Sequence, residues 1–175
     1  MEITLRIFCL AAGILFGSFL TAEYVARRLT GRTARDLGSG NPGMANIMAT
    51  LGKGPGFAVL AGDAAKTVLV CALCRFAIAP QLGHTALLYA GAGAILGHNY
   101  SLFHKGRGGK GVAVTCTWLI LYLPVTGALC CRAALRCWCG ATCRWARCLS
   151  RRWLCRWPLC SMGPRAASSH CWPPP

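Results

Sequence analysis

The stretch LGHNYSLFHKGRGGKG, residues 96–111, concentrates residue types that handle anions. It holds two of the chain's four histidines and five of its 21 glycines. Closely spaced glycines let backbone N–H groups approach phosphate oxygens, while Lys105, Arg107 and Lys110 supply positive charge. The stretch lies between two apolar runs, where polar groups without partners are costly. It predicts a phosphate-binding loop, with a basic membrane anchor as the alternative.

His98 lies near the start of this loop, at the end of an apolar run. It is a candidate general base or a positioning group for an attacking hydroxyl, and a structural role is the alternative. Residues 106–111 are similar to a Walker A loop, but Gly111 follows Lys110 where that motif requires Ser or Thr. A P-loop NTPase is therefore excluded. Residues 1–125 contain no His, Cys and acid cluster with metal-ligand spacing, so we expect no metal and no other cofactor.

A second polar loop, SGNPG at residues 39–43, is followed by Asn46. Its short polar side chains and glycines dominate ordinary surface turns. The same residue types also form anion-binding nests. Taken alone, the loop leaves both interpretations open.

The composition is that of a membrane protein. Hydrophobic residues make up 55% of the chain and charged residues 13%, with a mean hydropathy of +0.47. Soluble domains carry about 25% charged residues. The net charge of +15 would suit nucleic acid, but the basic residues of 1–125 lie mostly in loops between apolar runs, and no nucleic-acid-binding motif is present. We therefore expect contact with membrane lipid and no nucleic-acid partner.

Apolar segments in residues 1–125 predict an all-α, polytopic integral membrane helical bundle. The first segment also suits a cleaved signal peptide, but the apolar segments that follow it favour a retained helix. Asp63 and Lys66 are three residues apart on one helix face, where they can pair. The predicted spans lie near 3–22, 57–79, 84–98 and 111–129.

Both polar loops are predicted to lie on one side of the membrane. The chain leaves the first loop by one span and returns to the second loop by the next span. The excess of Lys and Arg in both loops places them in the cytoplasm, with the amino terminus outside.

Three polar stretches carry a resemblance to a known family. They are GSGNPGMANIMATLGK at 38–53, LAGDAAKT at 60–67 and GHNYSLFHKGRGGKGVA at 97–113. In this order, between membrane segments, they resemble the motifs of the bacterial membrane acyl-phosphate:glycerol-3-phosphate acyltransferases, the PlsY family. The resemblance covers about residues 10–125, and its third stretch is the most specific.

The resemblance implies transfer of a fatty acyl group from acyl phosphate to the 1-position of glycerol 3-phosphate, giving lysophosphatidic acid and phosphate. It also implies a multi-pass protein of the cell inner membrane with a cytoplasmic site. Because the acyl donor is an activated mixed anhydride, orientation and charge stabilisation would supply most of the acceleration. The implied catalytic residues are His98, Lys110 and Ser39; the implied phosphate-binding residues are Gly40, Asn41, Gly43, Asn46, Gly108, Gly109 and Gly111; Asp63 and Lys66 would support the site or the fold.

The chain departs from the family pattern in the first loop. Met44 and Ala45 replace the family's Ala-Thr, and Ala49 stands where the family usually carries an arginine that helps bind phosphate. Losing such a charge-assisted contact costs about 1.5–3 kcal/mol. The expected consequences are weak activity, an altered substrate, or replacement of the missing cation by Lys53 or Arg35.

The tail, residues 126–175, has a different composition, with no acid, no lysine and nine of the chain's 13 cysteines. A metal or disulfide module is one interpretation, but conventional zinc spacing is absent. A basic amphipathic membrane-surface segment is another. We favour a third, out-of-frame translation of a GC-rich gene, in which codons for Cys, Trp, Arg, Pro and Gly crowd together. The family's last motif is also missing. The tail is then non-native or disordered, and the chain as translated is inactive or impaired.

A function of a different class uses the same loops. The chain would then be a non-enzymatic membrane protein or transporter fragment that binds phosphate or lipid head groups. Formation of lysophosphatidic acid from acyl phosphate and labelled glycerol 3-phosphate separates the two hypotheses.

Overall fold

The structure, a computed structural model, describes residues 1–136, which form helices joined by loops. The chain divides into the units Met1–Ala134 and Leu135–Pro175, and the helices named below belong to the first. No strand occurs among the described residues, so the predicted all-α class is confirmed. The helices are α1 (Glu2–Gly17), α2 (Thr21–Thr30), α3 (Met44–Leu51), α4 (Lys53–Leu73), α5 (His84–Asn99) and α6 (Val112–Tyr122), and residues 124–134 are also helical.

Two helical stretches within residues 1–136 are long and apolar enough to cross a membrane. They are Glu2–Thr30, which bends between α1 and α2, and Lys53–Ile78; Val112–Tyr122 is apolar but shorter. The division into four spans stays a prediction, as does the domain boundary at 125. The features predicted for the tail beyond residue 136 lie outside the described residues. The predicted spans near 3–22, 57–79, 84–98 and 111–129 fall mainly on α1, α4, α5 and α6.

Helices α1 and α5 approach closely because glycines face the partner backbone. A Cβ added to Gly13 or Gly17 would collide with backbone carbonyl oxygens of α5. In return, a Cβ on Gly93 or Gly97 would collide with carbonyl oxygens of α1. Small residues allow such contact between membrane helices, where dispersion rather than the hydrophobic effect drives packing. Helix α5 is therefore held at a fixed position along α1.

The bundle places both polar loops at one end. Helix α4 runs antiparallel to α1, since Lys66 of α4 contacts the Gly17 carbonyl at the end of α1, and Cys74, just after α4, contacts the Cys9 carbonyl in the middle of α1. At the opposite end, Ser101, just after α5, donates a hydrogen bond to the Ser18 carbonyl, just after α1. The Arg35 guanidinium bonds to the Arg107 carbonyl, which joins the first loop to the second. The two loops therefore lie at the same end of the bundle, and the side of the membrane that they face stays a prediction.

A small apolar core supports the first loop from below. Its buried members come from α2, the turn Ala34–Asp36, α3 and α4. Packing in this cluster holds the segments on both sides of the loop together. The buried members are Ala22, Ala26, Ala34, Ile47 and Val59.

Candidate active site

The first loop is held in shape by Asn46, a buried side chain in the first turn of α3. Its Oδ1 accepts a hydrogen bond from the Ser39 backbone N–H at 2.8 Å. Its Nδ2 donates to the carbonyls of Ala34 and Leu37 at 3.1 and 2.8 Å. Both amide protons and one lone pair are therefore used within the loop. Phosphate binding by Asn46 stays a prediction; the geometry gives its amide a role in shaping the backbone around Ser39.

A buried carboxylate, Glu23, anchors the same loop from α2. Its Oε2 accepts the Ala34 N–H at 2.9 Å, and its Oε1 lies 3.3 Å from Arg35 Nε. Since Arg35 also bonds to the Arg107 carbonyl, it spans the two loops. Sequence reasoning did not identify Glu23, although it is one of four acidic residues in the chain and lies just before an arginine-rich segment.

The turn that begins the first loop is capped by Thr33 and Asp36. The Thr33 hydroxyl and N–H donate to Asp36 Oδ2 at 2.7 and 3.1 Å. The hydrogen bond from the Thr33 hydroxyl, and then that from its N–H, stabilise the carboxylate and lower the pKa of Asp36. Asp36 is thereby occupied in ordering the turn.

The glycines of the second loop lie against the last turn of α5. The Gly109 N–H donates to the His98 carbonyl at 3.0 Å. A Cβ on Gly108 would collide with that carbonyl oxygen, and one on Gly111 would lie 2.5 Å from Asn99 Oδ1. Gly111 also has a φ of +68°, which favours glycine. This close approach to α5 requires glycine at Gly108 and Gly111. Phosphate binding by Gly108, Gly109 and Gly111 stays a prediction. Asn99 was not identified from the sequence.

His98 brings the two loops and α4 together. Its side chain is nearly buried, at 3% exposure, and its Nε2 faces Gly109 so closely that a Cβ there would collide with it. The same Cβ would lie 3.1 Å from the Pro42 carbonyl oxygen of the first loop. On the other side of the ring, His98 Nδ1 lies 3.0 Å from Lys66 Nζ. Residues far apart in the sequence thus meet at one buried imidazole.

Beneath His98 lies a buried ion pair. Lys66 Nζ is 2.9 Å from Asp63 Oδ1, which confirms the predicted pairing of these residues. Nζ also donates to the Phe19 carbonyl at 2.6 Å, and the carboxylate accepts the Thr21 hydroxyl at 3.1 Å. Both charged side chains are less than 10% exposed, so they contact His98 and the end of α1 and do not line the surface.

The predicted surface groups of the site flank the point where the loops meet. Lys110 directly follows Gly109, and Ser39 precedes Pro42 by three residues; both Lys110 and Ser39 are exposed. Their catalytic roles stay predictions. The remaining predicted phosphate-binding residues of the first loop, Gly40, Asn41 and Gly43, are half-buried.

Ser101 and His104 form a further polar pair, which sequence reasoning did not identify. Ser101 Oγ donates to the Ser18 carbonyl at 2.5 Å and lies 3.0 Å from His104 Nδ1. Because Ser101 is fully buried, it fastens the second loop to the end of α1 and is not a candidate nucleophile. Within residues 1–136, no group of three or more His, Cys, Asp or Glu is arranged to hold a metal ion.

The sequence is similar to those of glycerol-3-phosphate acyltransferases. A family model described as glycerol-3-phosphate acyltransferase matches residues 7–161. Glycerol-3-phosphate acyltransferase 1 of Lactobacillus acidophilus is 37% identical over 117 residues, which cover 67% of this chain and 56% of the relative. Glycerol-3-phosphate acyltransferase 2 of Moorella thermoacetica is 40% identical over 116 residues, covering 66% and 58%.

The fold is similar to that of two solved structures of one such enzyme. A crystal structure of PlsY (YgiH), an integral membrane glycerol 3-phosphate acyltransferase, in its glycerol 3-phosphate form has a TM-score of 0.59 and 30% identity, covering 71% of this chain and 60% of that one. The lysophosphatidic acid form of PlsY has a TM-score of 0.57 and 28% identity, with the same coverage. The chain spans little more than half the length of the curated relatives it matches.

Proposed function

Because the chain belongs to the glycerol-3-phosphate acyltransferase family, we propose that it transfers an acyl group from acyl phosphate to the 1-position of glycerol 3-phosphate. The products are lysophosphatidic acid and inorganic phosphate. The observation that carries the proposal is the meeting of the two glycine-rich loops at Gly109, beside the buried His98. Ser39 and Lys110 lie close in sequence to this point, one in each loop, and both are exposed, so a phosphate bound there would meet a hydroxyl from one loop and a cation from the other.

The chemistry needs orientation more than a covalent nucleophile. The C1 hydroxyl oxygen of glycerol 3-phosphate forms a bond to the acyl carbonyl carbon, and the bond from that carbon to the phosphate oxygen breaks. Phosphate leaves with the bonding electrons, and the hydroxyl proton ends on the released phosphate. Lys110 would stabilise charge on the phosphate groups, while the Ser39 hydroxyl would hold the second substrate. The N–H groups of Gly40 and Gly43 already donate to the Leu37 and Asn41 carbonyls, so these glycines shape the loop.

Of the two cations that the sequence offers in place of the family's arginine at Ala49, Lys53 fits better. Arg35 is already engaged by Glu23 and by the Arg107 carbonyl. Lys53 is exposed at the start of α4, four residues beyond Ala49 in the sequence. We therefore assign the replacement phosphate contact to Lys53.

The chain is a membrane protein, and its finer location is part of the proposal. The solved relative is described as integral to the membrane, and two helical stretches here have the required length and apolar character. Lys and Arg are concentrated in the two loops, which lie at one end of the bundle. Under the positive-inside rule we place that end in the cytoplasm, with the spans in the cell inner membrane.

The test is product formation by the purified full chain in detergent, with acyl phosphate and labelled glycerol 3-phosphate. Lys110→Ala should lower kcat/KM by roughly 10- to 150-fold, since a hydrogen bond to a charged group contributes about 1.5–3 kcal/mol. Arg75→Ala is the matched control, because it removes a cation beyond the far end of α4. Phosphate or lipid binding without product would favour the non-enzymatic hypothesis, and full activity of Lys110→Ala would refute the role of that residue.

A further inference from the structure

Beneath the candidate site, the Lys66 ammonium lies between the Asp63 carboxylate and the His98 imidazole. Lys66 Nζ lies 2.9 Å from Asp63 Oδ1 and 3.0 Å from His98 Nδ1. Asp63 Oδ1 itself is 3.8 Å from His98 Nδ1, which is beyond hydrogen-bonding distance. The ammonium therefore stands between the carboxylate and the imidazole, and the histidine is paired with a cation.

The contacts of Lys66 determine which ring nitrogen of His98 carries a proton. An ammonium has three N–H donors and no acceptor. Around Nζ lie the Asp63 carboxylate, the Phe19 carbonyl at 2.6 Å and the Gly17 carbonyl at 3.3 Å, all of which only accept. The fourth neighbour, His98 Nδ1, must therefore present its lone pair to the ammonium. In a neutral imidazole the single proton then resides on Nε2.

This arrangement is the reverse of the one that a general base requires. A histidine that accepts a proton at Nε2 holds its own proton on Nδ1, usually against a carboxylate or a carbonyl. Here the carboxylate is out of reach and the ammonium occupies the Nδ1 side. With Nε2 already protonated, His98 is equipped to donate a hydrogen bond there and not to receive a proton.

The Nε2 atom of His98 faces the point where the two loops meet. It faces Gly109 of the second loop, next to the Pro42 carbonyl of the first. Among the described residues, His98 makes its side-chain hydrogen bond only through Nδ1, and the residue as a whole is 3% exposed. Nε2 is not one of the fully buried, unpartnered side-chain atoms of the described residues, so it stays accessible, and an oxygen of a ligand bound between the loops would accept its hydrogen bond.

We propose that His98 donates a hydrogen bond from Nε2–H to an anionic oxygen of the phosphorylated substrate and takes no proton from the attacking hydroxyl. Lys66 holds the imidazole in this tautomer, and Asp63 holds Lys66; both are positioning residues. This inference rests on the proposed acyl transfer, and it replaces the alternative of His98 as a general base.

Two substitutions of His98 separate a donor from a base. In His98→Gln no atom takes the place of Nδ1, but the side-chain amide nitrogen reaches the former Nε2 position and can donate a hydrogen bond there. The amide has no basic nitrogen, so it cannot act as a general base. In His98→Asn the shorter amide meets Lys66 and leaves the Nε2 position empty. A donor role predicts that His98→Gln keeps kcat/KM within about 10-fold, whereas His98→Asn loses roughly 100- to 1,000-fold, as for one oxyanion donor. Equal, severe losses in both folded variants would overturn the proposal.

A second measurement does not depend on activity. With ¹⁵N-labelled histidine, the ring nitrogens of His98 in the full chain should show a protonated Nε2 and an unprotonated Nδ1, assigned by comparison with His98→Gln. A proton on Nδ1 would refute the proposal even if the enzyme is active. If the chain forms no product at all, the proposed function fails, and the ring signals still decide the tautomer.

Discussion

Replacing Lys66 with Met tests the buried charge cluster most directly. The change keeps most of the side-chain volume but leaves Asp63 as a buried carboxylate whose partner cation stood 2.9 Å away. At that distance, with an effective dielectric constant of about 20, the lost attraction is about 6 kcal/mol. Desolvation of the ammonium offsets part of this. Removing one partner of a buried pair costs about 3–5 kcal/mol, and we expect a loss of unfolding free energy of that size.

Asp63→Asn is the matched partner variant, and we expect a smaller loss of about 1–3 kcal/mol. In this variant Lys66 keeps the Phe19 carbonyl at 2.6 Å and His98 Nδ1 at 3.0 Å as acceptors. In Lys66→Met, by contrast, the Asp63 carboxylate keeps the Thr21 hydroxyl at 3.1 Å as its described hydrogen-bond donor. The geometry therefore predicts that losing the lysine is worse than losing the aspartate's charge.

The assay is unfolding of the purified chain in mild detergent, followed by heat or denaturant, for the two single variants and the double variant. Because the two side chains touch, the double variant should lose less than the sum of the single losses, with a coupling of about 1–3 kcal/mol. A loss below about 1 kcal/mol in Lys66→Met, or strictly additive losses, would show that the pair contributes no net interaction and would refute this reasoning.

Two further variants test how the fold presents the site. Gly93→Ala places a Cβ against the Leu10 carbonyl oxygen in the α1–α5 contact, so it should cost about 1–3 kcal/mol, whereas Gly54→Ala, with open space around its Cβ, should be neutral or slightly stabilising in the same unfolding assay. Asn46→Ala removes three hydrogen bonds from the first loop and should speed proteolysis within residues 33–43 while costing about 2–4 kcal/mol; unchanged cleavage would show that packing alone orders the loop.

Local sequence patterns were sufficient for the features that depend on neighbours in the chain. The apolar segments predict helices, and the spacing of Asp63 and Lys66 places both on one face, where the structure pairs them. The succession of spans predicts that both basic loops face one side of the membrane, and in the structure the Arg35 guanidinium contacts the Arg107 carbonyl of the other loop. These predictions depend on helix periodicity and on the distribution of charge, and short segments of sequence are enough to recognise both.

Contacts between distant residues could not be predicted in this way. Nothing within the second loop indicates that Gly108 must be glycine because the His98 carbonyl lies against it. Likewise, Asn46 resembles a ligand-binding side chain until its partners, Ala34 and Leu37, are seen to lie 9–12 residues upstream. A glycine or amide that suits an anion also suits a close backbone contact, so residue type alone does not separate the two roles.

The state of His98 depends on residues that carry no chemistry of their own. Helix α1 ends at Gly17, and its last carbonyls have no partner further along the helix. Two carbonyls at this end, those of Gly17 and Phe19, accept hydrogen bonds from the Lys66 ammonium, and the negative end of a helix dipole favours a cation there. The glycine contact between α1 and α5 fixes where this helix end stands relative to His98. If α1 shifts along α5, the ammonium loses its carbonyl acceptors and its alignment with Nδ1 together. Gly93→Ala should therefore disturb the His98 tautomer as well as stability, although Gly93 lies more than a helical turn from the imidazole.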